Sequence, residues 1–214
     1  MSEVNRDPEV QSPDLDEYVA TTIPVHVDIN VRQTVLNLSE SERILREATS
    51  IALGPCVCRS TEQNCDAPID VCLSLNSASE RTVENEEGFR YIDIDKALDV
   101  LRESHRAGLV HLAFRQQDAE VTEFCSCCSC CCWFLSKLTQ FDYQAAVVES
   151  SHIARHLPEQ CVACGTCVEK CHFGAWLPAE DGGKPTLNSE RCFGCGVCVS
   201  ACPANAIAFL PREK

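Results

Sequence analysis

Two different spacings of apolar residues predict a chain that mixes strands and helices. Apolar and polar residues alternate from Val25 to Val31, which is the period of a half-buried strand. A helical spacing follows over Ile44, Leu45, Ala48, Ile51 and Ala52. Ser39 and Glu42 predict a capping box at the start of this helix, and Gly54-Pro55 predicts its end, directly before Cys56.

The same analysis predicts two more helices and a strand between them. A helix is predicted over Ile94 to Leu101, with Asp93 or Asp95 as its N-cap and Gly108 as its C-terminal stop. The apolar run LVHLAF, residues 109–114, then predicts a strand. Another helix is predicted from the spacing of Phe134, Leu135, Leu138 and Phe141.

Composition divides the chain into three segments. Residues 1–20 are polar and acidic and contain Pro8 and Pro13, so a disordered tail is predicted there. Residues 21–145 are predicted to form a small cysteine-rich α/β domain that binds metal, and residues 146–214 a second domain of a different kind. The predicted fold class is therefore α+β.

Cysteine changes this picture most, because the chain has 18 cysteines in 214 residues. Such a density is typical either of disulfide scaffolds in secreted proteins or of metal ligation in reducing compartments. Six of them lie within residues 125–132, where neighbouring thiols cannot pair in unstrained disulfides. The N-terminus lacks the basic and apolar regions of a signal peptide, and no apolar run is long enough to cross a bilayer. We expect a cytoplasmic protein with metal-bound thiolates.

The formal charge of −14 bears on the partners of the protein. A strongly acidic surface repels the phosphate backbone, so we do not expect a nucleic-acid partner. It favours docking to a basic patch on another protein, here a redox partner. The sequence has no G-x-G-x-x-G turn and no P-loop, so neither a dinucleotide site nor a nucleotide site is predicted.

An internal repeat covers the C-terminal cysteines. The segment CVACGTCVEKCHFGAW at residue 161 recurs as CFGCGVCVSACPANAI at residue 192, so that each cysteine has a counterpart 31 residues later. In a C-x-x-C-x-x-C-x-x-x-C run, three thiolates bind one 4Fe-4S cluster and the fourth binds the partner cluster. The predicted ligands are Cys161, Cys164, Cys167 and Cys202 for one cluster, and Cys192, Cys195, Cys198 and Cys171 for the other.

These two runs resemble those of bacterial-type two-cluster ferredoxins. The resemblance covers about residues 151–214 and implies a pseudo-symmetric dicluster ferredoxin-like domain with two 4Fe-4S clusters. Cys202-Pro203 matches the pattern of that family, whereas Cys171 is followed by His172 where proline is expected. We expect His172 to have a surface or packing role. Zinc is the alternative for dense cysteine motifs, but zinc sites use separated pairs, so these runs favour iron and sulfur.

Ten cysteines remain outside the two runs, in two groups. The first group, at positions 56, 58, 65 and 72, offers four thiolates, which is enough for one cluster. The second group, the six cysteines of residues 125–132, offers enough further thiolates for a second cluster. Adjacent cysteines project in different directions, so the second group cannot all face one centre, and some of these residues are expected in the core. The predicted metal ligands are Cys56, Cys58, Cys65, Cys72, Cys125, Cys127, Cys128, Cys130 and Cys131. Cys132 remains a candidate without an assigned role.

The CxCR segment at Cys56, the later CCxCC run and the C-terminal module together resemble a group of uncharacterised bacterial ferredoxin-domain proteins. This resemblance implies a dedicated N-terminal metal domain. One or two additional iron–sulfur clusters are expected there. Arg59 is expected either to stabilise a reduced cluster or to form a surface salt bridge. The other histidines, His26, His105, His111, His152 and His156, have no ligand spacing and are expected to be structural.

Three functions are compatible with this sequence. The leading hypothesis is an electron-transfer protein or oxidoreductase subunit that relays single electrons to a partner enzyme. The second is a redox enzyme whose N-terminal cluster has an open iron site. The third is a redox-sensing regulator, because the helix that ends at Gly108 and the strand after it have the order of a winged-helix fragment. The acidic residues Asp95, Asp99 and Glu103 on that helix argue against DNA binding.

Overall fold

The computed structural model describes residues 31–116, 120–141 and 147–213. The predicted acidic tail and all but the last residue of the strand predicted from Val25 lie outside these ranges. The strands are β1 (Val31–Leu36), β2 (Ile51–Pro55), β3 (Asp70–Leu75), β4 (Arg90–Tyr91), β5 (Val110–Gln116), β6 (Val121–Cys127), β7 (His152–His156), β8 (Trp176–Leu177), β9 (Thr186–Leu187) and β10 (Ile207–Pro211). The helices are α1 (Leu38–Glu47), α2 (Val57–Glu62), α3 (Ser77–Asn85), α4 (Ile94–Arg106), α5 (Trp133–Phe141), α6 (Thr166–Glu169) and α7 (Val197–Ala201).

A six-stranded sheet organises the N-terminal part of the described chain. Its strand order is β1-β5-β6-β3-β2-β4, and each named pair is antiparallel. The C-terminal part contains two small sheets, one pairing β7 with β10 and the other pairing β8 with β9. The architecture is thus mixed α and β.

The two faces of the large sheet pack against different partners. Alternate residues of a strand point to opposite faces. On one face, Leu73 and Phe124 belong to a core shared with α1 and α4. Leu112 and Cys127 lie on the other face, in a cluster with α5 and with Phe173 and Phe193 from the C-terminal cysteine runs. The rings of Phe173 and Phe193 stack with their centroids 4.7 Å apart. The C-terminal module thus closes one face of the sheet.

The first predicted helix is wrong in its second half. Helix α1 ends at Glu47, and residues 51–55 form β2 instead. Ile51, Ala52 and Leu53 are all buried in this strand, so their run is continuously apolar. A short apolar run that is buried on both sides has no period that separates strand from helix. A strand, and not the predicted helix, therefore leads into Cys56.

The cap of this helix lies two residues before the predicted position. The Asn37 side chain accepts a hydrogen bond from the Glu40 backbone N–H at 2.9 Å, and the Glu40 carboxylate accepts one from the Asn37 N–H at 3.0 Å. Asn37 is also within 3.2 Å of His152 Nδ1, a contact far along the chain. The predicted helix α4, capped by Asp93, the strand β5 and the helix α5 are confirmed.

None of the helices in the described ranges is both long enough and apolar enough to cross a bilayer.

Candidate metal centres

The two C-terminal cysteine runs adopt the same local backbone. In each run a 3₁₀ turn precedes the first cysteine, and a short helix, α6 or α7, contains the third. Positions 31 residues apart share positive φ angles, which few residues adopt. These pairs are Ala163 with Gly194, Gly165 with Gly196, and Gly174 with Asn205. The sequence repeat is therefore also a repeat of conformation.

Each run lines a cavity together with the last cysteine of the other run. One cavity is lined by Cys161, Cys164, Cys167 and Cys202. A second cavity is lined by Cys171, Cys192, Cys195 and Cys198. The structure thus brings together the same three-plus-one sets that the spacing predicts.

Backbone amides point at several of these sulfurs. The amides of Ala175 and Ala206, a pair related by the repeat, each donate to the sulfur four residues earlier, Cys171 or Cys202, at 3.3 Å. The amide of Ala163 donates to Cys161 Sγ at 3.4 Å. Donors of this kind stabilise ionised thiolates. Four thiols around a cavity, with amides directed at them, fit the ligand set of a 4Fe-4S cluster.

The two cavities differ in exposure to solvent. Cys164 in the first cavity is exposed, and hydrogen bonds from Thr166 lower the pKa of its thiol. In the second cavity Cys192 and Cys198 are buried, and Phe173, Trp176 and Phe193 cover the sulfurs. Burial raises the pKa of Cys198 to about 12 and raises that of Cys195 as well. The first site thus lies near the surface and the second in the interior.

The ten upstream cysteines divide into two groups that differ from those expected. The thiols of Cys56, Cys58, Cys65 and Cys72 do not form one set of four, because Cys65 lies with cysteines from residues 128–131. The structure places the Sγ atoms of Cys65, Cys128, Cys130 and Cys131 all within 4.8 Å of one another. We call this set the four-thiol group. No other set of three or more such ligand atoms in the described part of the chain meets this limit.

Two loops supply the four-thiol group. Cys65 lies in the loop after α2, and the other three thiols lie in the turn between β6 and α5. The Asn64 side chain joins the loops by donating to the Cys130 carbonyl at 2.9 Å. Burial opposes ionisation of Cys65, but hydrogen bonds from the Ala67 amide and the neighbouring thiols outweigh it and lower the pKa to about 7.

The remaining upstream cysteines form a continuous series of neighbouring thiols, which we call the six-thiol group. In order of contact its members are Cys56, Cys72, Cys125, Cys127, Cys132 and Cys58. Cys72 Sγ lies 3.8 Å from Cys125 Sγ, across the β3–β6 pairing. Cys125 and Cys127 share a face of β6, as alternation along a strand predicts. Sequence analysis left Cys132 without a role, yet its thiol contacts both Cys127 and Cys58.

Hydrogen bonds within the six-thiol group shift its pKa values in opposite directions. The Cys127 thiol contributes most to lowering the pKa of Cys125 to about 6 and that of Cys132 to about 3. The same hydrogen bonds raise the pKa values of Cys56, Cys58, Cys72 and Cys127.

Arg59 lies between the two thiol groups and is almost completely buried, at 1% exposure. Its guanidinium donates to the Ser126 carbonyl at 3.0 Å and to Cys128 Sγ at 3.6 Å. Burial opposes its charge, but the hydrogen bond to Cys128 and the neighbouring cysteine sulfurs outweigh burial and raise its pKa. Among the described residues no carboxylate pairs with it. The surface salt bridge expected as an alternative is therefore wrong.

His172, which occupies the place of the expected proline, connects the C-terminal module to the four-thiol group. Its Nδ1 accepts from the Ser129 backbone N–H at 3.2 Å, so its Nε2–H donates to the Gly108 carbonyl at 2.7 Å. Ser129 lies between Cys128 and Cys130, and Cys171 directly precedes the histidine. Burial lowers the pKa of His172, which favours this neutral form. The packing role of His172 is thus to join the second cysteine run to Gly108 and Ser129 of the N-terminal part through two hydrogen bonds.

Comparison with known proteins supports part of this description. Residues 160–207 match the family model of a 4Fe-4S dicluster domain. This range contains all eight cysteines of the two runs. None of the curated proteins matches the chain. The match supports an iron–sulfur electron-transfer role and a ferredoxin-type module near the C-terminus.

Proposed function

We propose that this protein is an electron-transfer protein or oxidoreductase subunit that carries two 4Fe-4S clusters in its C-terminal module and passes single electrons to a partner oxidoreductase. The observation that carries the proposal is the pair of cavities, each lined by four cysteines, inside the segment that matches a dicluster domain. When bound, such clusters supply one-electron carriers whose potentials depend on hydrogen bonds, charge and exposure.

We assign the eight ligands by the cavities that they line. Cys161, Cys164, Cys167 and Cys202 are proposed to hold one cluster, and Cys171, Cys192, Cys195 and Cys198 the other. The matching positive φ angles of the two runs support a pseudo-symmetric arrangement. The exchange of Cys171 and Cys202 between the halves joins the two centres into one module. We propose residues 146–214 as this module and residues 21–145 as the cysteine-rich metal-binding domain before it.

The exposed first site is the proposed point of electron exchange. Val162, next to Cys161, exposes 66% of its surface and so offers an apolar contact beside the cavity. The chain charge of −14 favours a partner with a basic patch around its own redox centre. All eighteen cysteines are free thiols, which suits a reducing, cytoplasmic compartment.

The six-thiol group is the proposed site of one further iron–sulfur centre. The six thiols exceed the four that one cubane needs, and, unlike in the four-thiol group, no three of their sulfurs lie within 4.8 Å of one another. The protein thus provides full ligation there, which does not favour the alternative of an enzyme with an open iron site. The regulator hypothesis gains no support either, because the apolar face of α4 packs on the sheet and its exposed face carries three acidic residues beside three basic ones, so that it offers no net positive charge to DNA.

The test is anaerobic purification of the full chain, followed by iron and labile-sulfide analysis and EPR of the reduced protein. We expect reversible bleaching by a one-electron reductant, EPR signals of interacting reduced clusters, and about twelve irons, of which about eight belong to the C-terminal module. About eight irons would confine the clusters to that module. A protein without labile sulfide would overturn the proposal.

A further inference from the structure

We propose that the four-thiol group binds a single metal ion, zinc or iron, in tetrahedral coordination, and that it does not hold an iron–sulfur cluster. This site lies outside the segment that matches the dicluster domain, and the inference does not depend on the proposed electron-transfer function. It narrows the expectation of one or two additional iron–sulfur clusters in the N-terminal domain, because these four predicted ligands would hold a single ion instead.

The distances between the sulfurs carry this inference. Cys65 Sγ lies 3.6 Å from Cys128 Sγ and 3.9 Å from Cys131 Sγ. Cys130 Sγ lies 3.8 Å from Cys131 Sγ. A tetrahedral ion with metal–sulfur bonds of about 2.3 Å separates its sulfurs by about 3.8 Å. The three distances match this value within a few tenths of an ångström.

A cubane needs a different arrangement of the same four thiols. Its four thiolates bind different iron atoms at the corners of the cluster, so iron and sulfide lie between them and keep them well apart. The two C-terminal sets have this open form, because the sulfurs of each set line a cavity and no three of them lie within 4.8 Å of one another. The four-thiol group has its sulfurs in contact, and one ion at their centre satisfies all of them.

The surroundings of the group match the charge of such a site. Four thiolates around a divalent ion leave a net charge of about −2. The Arg59 guanidinium, buried and without a carboxylate partner in the described ranges, lies 3.6 Å from Cys128 Sγ and offsets part of this charge. A buried arginine without such a counter-charge would be strongly unfavourable.

The proposed ion has a structural consequence for the neighbouring module. It fixes the turn of residues 128–131, because a metal bound by four thiolates contributes its binding free energy to folding. The Ser129 amide of this turn holds His172, and His172 adjoins Cys171. The ion therefore stabilises the contact between the N-terminal sheet and the second cysteine run.

Element analysis of the full chain and of two variants tests this proposal. Cys130→Ser removes the exposed thiol of the group, and Cys65→Ser/Cys130→Ser removes two. Ser129→Ala is the matched control, since it changes the same turn and keeps every thiol and the Ser129 amide. We expect the double variant to lose about one zinc or iron per chain with labile sulfide unchanged, and the control to lose none.

X-ray absorption at the edge of the lost metal provides the second measurement. We expect four sulfur neighbours at about 2.3 Å and no nearby second metal, with zinc and iron distinguished by the edge itself. A joint loss of about four irons and four sulfides in the double variant would show a cubane and overturn the proposal. Unchanged metal content in both variants would overturn it as well. If the wild-type protein contained no labile sulfide but still bound the single ion, the proposed electron-transfer function would be refuted and the single-ion site would still stand.

Discussion

The C-terminal and N-terminal halves of this molecule each gather sets of four cysteines, but the two kinds of set differ in geometry. Each C-terminal set lines a cavity, and no three of its sulfurs lie within 4.8 Å of one another. All four sulfurs of the four-thiol group lie within 4.8 Å of one another, and three of the distances between them are 3.6, 3.8 and 3.9 Å. The number of cysteines is the same, so the backbone that presents them, and not their count, distinguishes the proposed cluster sites from the proposed single-ion site.

The backbone explains this difference. In the C-terminal runs, turns with positive φ spread three cysteines around a loop, and the fourth comes from the other run. In the four-thiol group, three cysteines come from one tight turn, in which the Cys132 amide donates to the Cys128 carbonyl at 3.0 Å. A tight turn leaves little space between the sulfurs that it carries.

The largest effect is expected from Gly194→Ala, which changes the backbone that lines the second C-terminal cavity. A Cβ at this position, where φ is +70°, would overlap the His152 carbonyl oxygen and the Ser150 hydroxyl. We expect a loss of at least about 3 kcal/mol of unfolding free energy, because both backbone and packing must shift. Unfolding by denaturant and iron analysis measure this, with about four irons lost and the ion of the four-thiol group retained.

The control for Gly194 is its counterpart in the first run. Ala163 already has a positive φ of 55°, so Ala163→Gly should change the unfolding free energy by less than about 1 kcal/mol. Equal losses in Gly194→Ala and Ala163→Gly would show that the contact with His152 does not constrain the second cavity.

The next largest effect tests the exchange of cysteines between the runs. Cys202→Ser should resemble Cys161→Ser and differ from Cys192→Ser, because Cys202 and Cys161 line the same cavity. EPR of the reduced proteins makes this comparison, since each variant should lose or change the signal of one cluster. A Cys202→Ser spectrum that matches Cys192→Ser would assign each run of four to its own cluster.

Arg59→Met is expected to have an intermediate effect, concentrated on the N-terminal thiols. It leaves the Ser126 and Pro68 carbonyls without their donor and removes the positive charge beside Cys128. We expect a loss of about 2–4 kcal/mol of unfolding free energy, with metal lost from the four-thiol group before the C-terminal clusters. Denaturant unfolding together with metal analysis of the partly unfolded protein measures both.

Arg90→Met is the matched control for Arg59. Arg90 pairs with Asp70 on the surface, with about half of each side chain exposed, and such pairs contribute about 0–1 kcal/mol. If the two methionine variants were equally stable, the buried position of Arg59 would have no energetic importance.

The smallest effect is expected from His172→Pro, which restores the pattern of the two-cluster ferredoxins. Proline removes the hydrogen bonds to the Ser129 amide and the Gly108 carbonyl, and the Ser129 amide then lacks an acceptor. We expect a loss of about 1–2 kcal/mol, seen as a lower Tm, with iron content unchanged. His172→Gln, which keeps an acceptor and a donor, should lose less. A more stable proline variant would contradict the role assigned to this histidine.

Local patterns in the sequence were sufficient for some elements and not for others. The cap at Asp93, the helix α4 and the strand β5 depend on nearby residues, and the sequence predicts them correctly. The burial of Ile51–Leu53 depends on strand pairing far along the chain, and there the prediction of a helix is wrong. The cap at Asn37 was also missed, since His152 takes part in that contact.

The same limit applies to the candidate sites. The C-terminal ligand sets could be predicted because the cysteines of each run are close in sequence and their spacing recurs after 31 residues. The partners of Cys65 and Cys72 come from residues more than 50 positions away, and only the β3–β6 pairing and the loop after α2 bring them together. The sequence marked His172 as a departure from the expected proline, but its contacts with Gly108 and Ser129 depend on residues more than 40 positions away and were not predicted.

The central claim is that the protein holds two kinds of four-thiolate centre, and the ratio of metal to labile sulfide in the wild-type chain tests it most directly. Iron–sulfur clusters of the cubane type contribute iron and sulfide equally, whereas a single ion contributes metal alone. We predict that zinc and iron together exceed labile sulfide by about one atom per chain in anaerobically purified protein. Equal amounts of metal and sulfide would contradict the claim.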